Sequence, residues 1–361
     1  MPAARPAWTM ISFRLCANAR AEIVRCLANL DFEYDLAGRP LPAGLFQKWK
    51  YILRLLPEAR EAHCLDLDQA EPGPGALLAW GAGPRVRRLA PEQSWPDLQA
   101  VRQVNDKRFS HSLEKELGIA LPGSCLIHSL DELQKAVDDC GQDWVLKHPL
   151  GVSARERVVG KRGHISDSAR GWARKQLPAW SLIFEPWLEP RQDFSMHFQA
   201  RSDGGLDFLG HCRLVGDPGG VYRGNLVVPA QALPAGALES GWRIARKVAA
   251  AGYYGPIGID SFESNQVLRP LVEINARHSF GRMTLALHAW APVDWCLLWW
   301  HPRQPLRADR PLTPGAPAGV YNLPLEADPQ SNSGTVIVLA PTLEEVEKLR
   351  DGLALPTQGL P

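Results

Sequence analysis

Two carboxylates and an amide late in the chain carry its strongest chemical signal. Asp260 lies in "GPIGIDSFE", and Glu273 and Asn275 lie in "RPLVEINAR", two strand-like runs around the turn "SNQ". Residues two apart in a strand face the same side, so Glu273 and Asn275 point together, and a hairpin sets Asp260 roughly opposite them. Two carboxylates and an amide oxygen converging on one point suit a hard cation such as magnesium, bound together with phosphates. Arg277, two residues beyond Asn275, adds positive charge where phosphate or developing negative charge would sit. Taken alone, the pattern also fits the capped face of an exposed hairpin. The apolar setting "LVEIN" counts against that, because an unpaired charge leaving an apolar strand is costly.

A second group of residues has the chemistry of phosphate and base recognition. Lys147 ends the apolar run "WVL" and precedes a loop carrying Gly151, Ser153 and Gly160. A lysine leaving a strand reaches a phosphate as a point charge, and loop glycines let the backbone approach phosphate oxygens. No G-K-[ST] follows, so this is not a Walker loop, and an ordinary surface turn fits the same letters. Lys107, at a helix start, has the bland alternative of a solvated lysine. "LIFEPWLEP" is a strand broken at Pro186 and Pro190, which leaves backbone groups of Trp187 and Leu188 for a heterocycle. Glu185 could accept from an exocyclic amine and Asp193 from a ribose hydroxyl. A plain strand-to-strand connection is the other reading.

These residues need elements to hold them. "NDKRFSHSLEKEL" reads as a helix stopping at Gly118, "SCLIHS" as a strand, and "SLDELQKAV" as a helix capped by Ser129 with Glu132 three residues on. "DWVLKHP", "SLIFEPWL", "DFSMHFQAR" and "LDFLGHCRLV" read as strands, and "ESGWRIARKVAAAG" as a helix. The end of the chain adds a strand, "GTVIVLA", and a helix capped by Thr342. The first ~100 residues are patterned more weakly, as a small α/β unit: "ARAEIVRCLANL" has helical periodicity, and "GALLAWGAG" looks like a buried strand entering a Gly-rich turn. The fold class expected is α+β with antiparallel pairs.

Composition removes several function classes. Lys+Arg number 40 against 39 Asp+Glu in 361 residues, with no basic tract, so nucleic acid is not an expected partner. Seven cysteines stand at 16, 26, 64, 125, 140, 212 and 296, an odd total without C-x-x-C. A disulfide framework or zinc site is therefore not expected, and a cytoplasmic location is. The N-terminus lacks a signal pattern. The apolar stretch Met283 to Trp300 is interrupted by His288, Pro292 and Asp294, and reads as a buried helix pair and not a membrane span. Thirteen tryptophans, three of them at 295, 299 and 300, read as core or a subunit interface.

Taken in order, Lys107, Lys147 and its loop, Glu185-Pro-Trp-Leu, Asp193-Phe-Ser, Asp260 and Glu273-x-Asn275-x-Arg277 resemble the ATP-grasp superfamily over roughly residues 105–300. The resemblance implies two α+β lobes clasping ATP over 105–302, a small α/β pre-ATP-grasp domain over 1–104, and a C-terminal extension with a closing strand and helix over 303–361. It implies that Lys107 and Lys147 contact phosphates, with Ser153 in the covering loop, and that Glu185, Trp187 and Leu188 line the adenine pocket. Asp193 would hold the ribose. Asp260, Glu273 and Asn275 would bind Mg2+, for which Mn2+ could substitute, and Arg277 would sit beside the transferred phosphoryl group. The sequence departs from relatives at Arg155, Glu156 and Arg157, where many are richer in Gly and Ser, and at Pro186, where several have lysine.

The reaction implied first is ATP-dependent carboxylate–amine ligation through an acylphosphate, with small-molecule acid and amine substrates. No nucleophilic Ser or Cys is required, and no G-x-S-x-G elbow is present. Arg223, in "GHCRLVGDPGGVYRGN" with His211 and Arg213, and Arg282, near His278, are the arginines expected to clamp the substrate. Structural roles for each fit the sequence equally. The alternatives are a small-molecule kinase and a non-catalytic ATP-binding module, and a homodimer is compatible with all three.

Overall fold

The computed structural model describes residues 23–40, 49–151, 156–217, 221–229, 231–265, 267–304, 306–325 and 334–354. The first unit is a parallel three-stranded sheet in the order β2-β1-β3, built from β1 (Ile23–Leu27), α1 (Phe32–Leu36), β2 (His63–Cys64), β3 (Ala76–Ala79) and α2 (Pro84–Leu89). The helical stripe expected from "ARAEIVRCLANL" is thus a strand at its centre. With β2 and β3 on either side, the chain is buried at every residue from Arg25 to Leu30, and this central strand so lacks the alternation of a half-exposed strand. Loops leaving the C-terminal ends of β1 and β3 are tied together, since the Asn29 side chain exchanges hydrogen bonds with the backbone of Gly81 at 3.0 and 3.2 Å.

Two helices connect this unit to the rest: α3 (Leu98–Asn105), capped by Asp97, and α4 (Lys107–Glu116), capped by Asp106. A four-stranded antiparallel sheet follows. It comprises β4 (Cys125–Ile127), α5 (Leu130–Cys140), β5 (Trp144–Lys147), β6 (Arg157–Gly160), α6 (Asp167–Gln176) and β7 (Leu182–Pro186), with strand order β4-β7-β5-β6. Ser129 caps α5 through the Glu132 N–H at 3.1 Å, while the Glu132 carboxylate bonds the N–H of His128 and not that of Ser129. Trp144, Leu146 and Phe184 pack with Leu133 and Val137 of α5 into one core. Strand alternation therefore turns Val145, Lys147 and Glu185 to the opposite face.

The remaining strands form one antiparallel sheet of eight, in the order β12-β11-β8-β9-β10-β13-β15-β14. Its elements are β8 (Pro190–Ala200), β9 (Leu206–Gly216), β10 (Tyr222–Val227), α7 (Ala237–Ala250), β11 (Gly255–Ser264), β12 (Leu268–Asn275), α8 (Phe280–His288), β13 (Cys296–Trp300), β14 (Gly319–Tyr321), β15 (Val336–Ala340) and α9 (Leu343–Ala354). Helix α7 covers one face, where Gly241 lets it approach Met196 and Phe198. Helix α8 lies on the other, where a Cβ at Gly281 would meet the His197 ring at 2.4 Å. The second half of the expected helix pair, "CLLWW", is instead strand β13. Residues 303–361 do not stand apart: β15 pairs along β13, so the boundary expected at 302 falls inside this sheet.

Candidate active site

Strands β11 and β12 bring the acidic pair together as their spacing requires. Asp260 is directly opposite Glu273, and Asn275 is opposite Gly258. Asn275 Nδ2 donates to Asp260 Oδ2 at 2.9 Å, and Arg277 Nη2 donates to Asn275 Oδ1 at 2.8 Å. Arg277 is anchored further by its Nε to Glu33, beyond β1, and by its Nη1 to the carbonyl of His278 at 3.0 Å. The chain between Asn275 and Arg277 is clamped by Asn105 at the end of α3, whose Oδ1 accepts from the Ala276 N–H at 3.0 Å.

Burial, and next the negative charge of Glu273, push the Asp260 carboxyl up to about 7, against the opposing pull of Arg277. Asp260 and Glu273 still repel one another despite Arg277, and a divalent cation between them would relieve that repulsion. The donor set therefore fits magnesium, with one adjustment: the Asn275 oxygen faces Arg277, so its amide must turn over to present oxygen to a cation.

Lys107 reaches the same point from α4. Its Nζ donates to Glu273 Oε1 and to the carbonyl of Gly151, each at 2.8 Å. Lys147 donates instead to Glu185 Oε2 at 2.5 Å, a diagonal pair on the face of the small sheet turned away from α5. Asp193 sits two residues before Ser195, which is opposite Asp260, so both belong to the acidic face of the large sheet. Burial raises the Asp193 carboxyl, while Arg157 opposes the shift. Ser153 lies outside the described residues.

Several expected roles change. The backbone of Trp187 is not free: its N–H donates to Asp143 O at 2.7 Å and its C=O accepts from Gln142 Nε2 at 2.8 Å. In extended chain, successive residues direct their N–H and C=O groups to opposite sides. The groups facing away are thus the Pro186 carbonyl and the Leu188 N–H. Arg223 is held in an ion pair instead, its guanidinium donating to Asp217 at 2.9 and 3.2 Å, where Arg303 also binds. Glu185 already has partners of its own. Both its oxygens accept from Arg269, at 2.6 and 2.8 Å, and Arg269 also binds Glu114 of α4 at 3.2 Å.

Arg269 and Glu114 were missed by the sequence reading, although the principle that flagged Glu273 applied to both. An arginine inside the apolar strand "LRPLVE" and a glutamate on the buried face of an amphipathic helix each demand a partner. Helical spacing places Lys107 and Glu114 on one face, seven residues or roughly 10 Å apart. Their partners on β12, Glu273 and Arg269, are four residues apart across an irregularity in the pairing with β11. One helix thus delivers two charges to one strand.

Beyond Arg277 lies a cavity of about 530 Å3. Trp80, Trp95, Tyr253 and Tyr254 supply aromatic walls, Arg277 and His278 line it from the connection after β12, and Arg282 lines it from α8. Burial lowers the Arg282 guanidinium, with Glu58 opposing, and holds His278 neutral by lowering it to about 3. His278 Nδ1 and Glu58 Oε2 are buried on this wall without a hydrogen-bond partner among the described residues. Arg277 joins the two halves of the site, with the acidic pair on one side and the cavity on the other.

No protein-family model matches this chain, and no curated protein sequence matches it at significant similarity. Solved structures do match. An ADP complex of N5-carboxyaminoimidazole ribonucleotide synthetase is similar over 92% of this chain and 96% of that one, at a TM-score of 0.58 and 13% identity. The Aspergillus clavatus N5-carboxyaminoimidazole synthase, in complex with ADP and 5-aminoimidazole ribonucleotide, covers 92% and 100% at 0.57 and 15%. The biotin carboxylase domain of Hydrogenobacter thermophilus 2-oxoglutarate carboxylase, with MgADP and bicarbonate, covers 92% and 90% at 0.57 and 13%. The chain has the ATP-grasp fold.

Proposed function

We propose that this protein is an ATP-dependent carboxylate–amine ligase, forming an amide bond through an acylphosphate with ADP and phosphate as products. One observation carries the reading. Arg277, hydrogen-bonded to Asn275 beside the Asp260–Glu273 pair, also lines a cavity large enough for a small molecule. ATP would lie between the sheets, its phosphates toward Lys107 and Lys147. Its base would meet the Pro186 carbonyl and the Leu188 N–H, and Asp193 would face the ribose. Asp260, Glu273 and Asn275 would hold magnesium, which supplies charge neutralisation for phosphoryl transfer. Mn2+ would serve as a substitute.

The residues of the chain divide the remaining work. Arg277 stands between phosphate and cavity, fixed by Glu33 and Asn275, and neutralises the substrate carboxylate as its oxygen bonds to the γ-phosphorus. The carbonyl then bears a good leaving group, and the amine displaces phosphate. The N–H groups of that amine would be met by His278 Nδ1 and Glu58 Oε2. Arg282 supplies further positive charge to the wall.

The test is ADP release from Mg·ATP with a panel of carboxylic acids crossed with amines. Release that needs both an acid and an amine is expected. Release with a hydroxyl compound alone would replace the ligase reading with a kinase. Confirmed Mg·ATP binding without turnover across the panel would favour a binding module.

A further inference from the structure

Glu185 and Lys147 belong to the small sheet, and Arg269 belongs to the large one. The apolar cores of the two sheets are separate clusters, so the contact between them at this point is made by charges. Arg269 grips Glu185 with both terminal nitrogens, Nη2 to Oε1 at 2.6 Å and Nη1 to Oε2 at 2.8 Å. Its Nε donates to the Leu271 carbonyl at 3.1 Å and also faces Glu114 Oε1 at 3.3 Å. Glu185 Oε2 in turn receives Lys147. All but Lys147 are at most 5% exposed at the side chain.

We infer that Arg269 is a positioning residue for the nucleotide lysine, which it fixes by holding Glu185 across the boundary between the two lobes. The inference rests on the reading of Lys147 as a phosphate contact. Two physical points support it. A planar guanidinium bonded at both tips fixes the plane of a carboxylate, which an ammonium on a flexible stem does not. The Lys147 side chain therefore extends from an acceptor that cannot swing. With Glu114 ionised, above about pH 7, the buried charges also balance, Arg269 and Lys147 against Glu185 and Glu114, so removing one cation there leaves two carboxylates sharing the other. Glu185, with both oxygens engaged, serves the lysine and not the base. Nucleobase recognition is left to the main-chain groups beside Trp187.

Mg·ATP affinity by calorimetry at about pH 8.5, where Glu114 is ionised, with thermal midpoints alongside, tests this on the full chain. Lys147→Ala in the same series tests the underlying reading. If it binds as the wild type does, the ligase site is wrongly drawn and the inference falls with it. With Lys147 confirmed, Arg269→Met is expected to weaken binding about tenfold or more. Glu114→Gln/Arg269→Met, which restores charge balance, is expected to recover at least about threefold of that loss. A purely structural arginine would lower the thermal midpoint in both variants without that recovery. Wild-type affinity in folded Arg269→Met, or no recovery in the double variant, overturns the proposal. Should Arg269→Met fail to fold, Arg269→Lys keeps the charge and loses the fork. It is expected to bind about threefold or more weakly, and wild-type affinity there overturns the proposal equally.

Discussion

Replacing Glu114 by glutamine should change how stability depends on pH. Burial, acting against Arg269, raises the Glu114 carboxyl from 4.5 to about 7, while Lys147 and Arg269 together hold Glu185 well below the usual carboxylate range. A carboxyl raised by folding favours the folded state fully below its unfolded value. That advantage disappears as pH rises through about 7. At 1.36 kcal/mol per unit, the loss between pH 4.5 and pH 7.5 is on the order of 3 kcal/mol. For a chain of 361 residues this is about 4 °C in thermal midpoint. Glu114→Gln keeps an oxygen toward Arg269 Nε and Nη2, and places the amide NH2 where the longer 3.5 Å contact was. The measurement is the difference in midpoint between wild type and variant from pH 5 to pH 8.5, without nucleotide. The groups common to both cancel, and the variant should gain on the wild type as pH rises. A difference flat across that range would falsify the assignment of a retained proton to Glu114.

The other predictions concern turnover. Glu273→Ala should lower ATP turnover at least about a hundredfold while the far-ultraviolet circular dichroism spectrum stays unchanged; wild-type turnover would remove the metal assignment. Arg277→Met should slow turnover about a hundredfold with Mg·ATP affinity within about threefold, and parallel losses in both would make Arg277 a binding group instead. Ala82→Trp fills part of the cavity wall. It should raise the KM for the acid or amine about tenfold or more and leave ADP affinity unchanged, whereas an unaltered KM would place the substrates elsewhere.

The acidic site was legible in the sequence because a hairpin imposes simple geometry. Alternation along "LVEIN" fixes which side chains share a face, and the opposing strand has few choices of register. Positions set by long-range pairing were less legible. Even Asp217, only six residues before Arg223, was not read as its partner, because the ion pair closes only when β9 and β10 meet. The backbone of Trp187 is claimed by residues 142 and 143, more than forty positions earlier. Among the elements after α4, helix α6 and strands β6, β10, β13 and β14 were not anticipated. Strand β13 was hidden within an apolar stretch whose helix and strand portions differ only by the break at Pro292 and Asp294.

Strand β15 is buried at every position and lies between β13 and β14. A protein shortened to the segment carrying the catalytic motifs would end before it. Such a truncation would expose the open edge of "CLLWW", five residues with unsatisfied backbone groups and large apolar side chains. An edge of that kind recruits strands from other molecules. Ending the protein before Val336 should consequently yield aggregates and not a minimal enzyme.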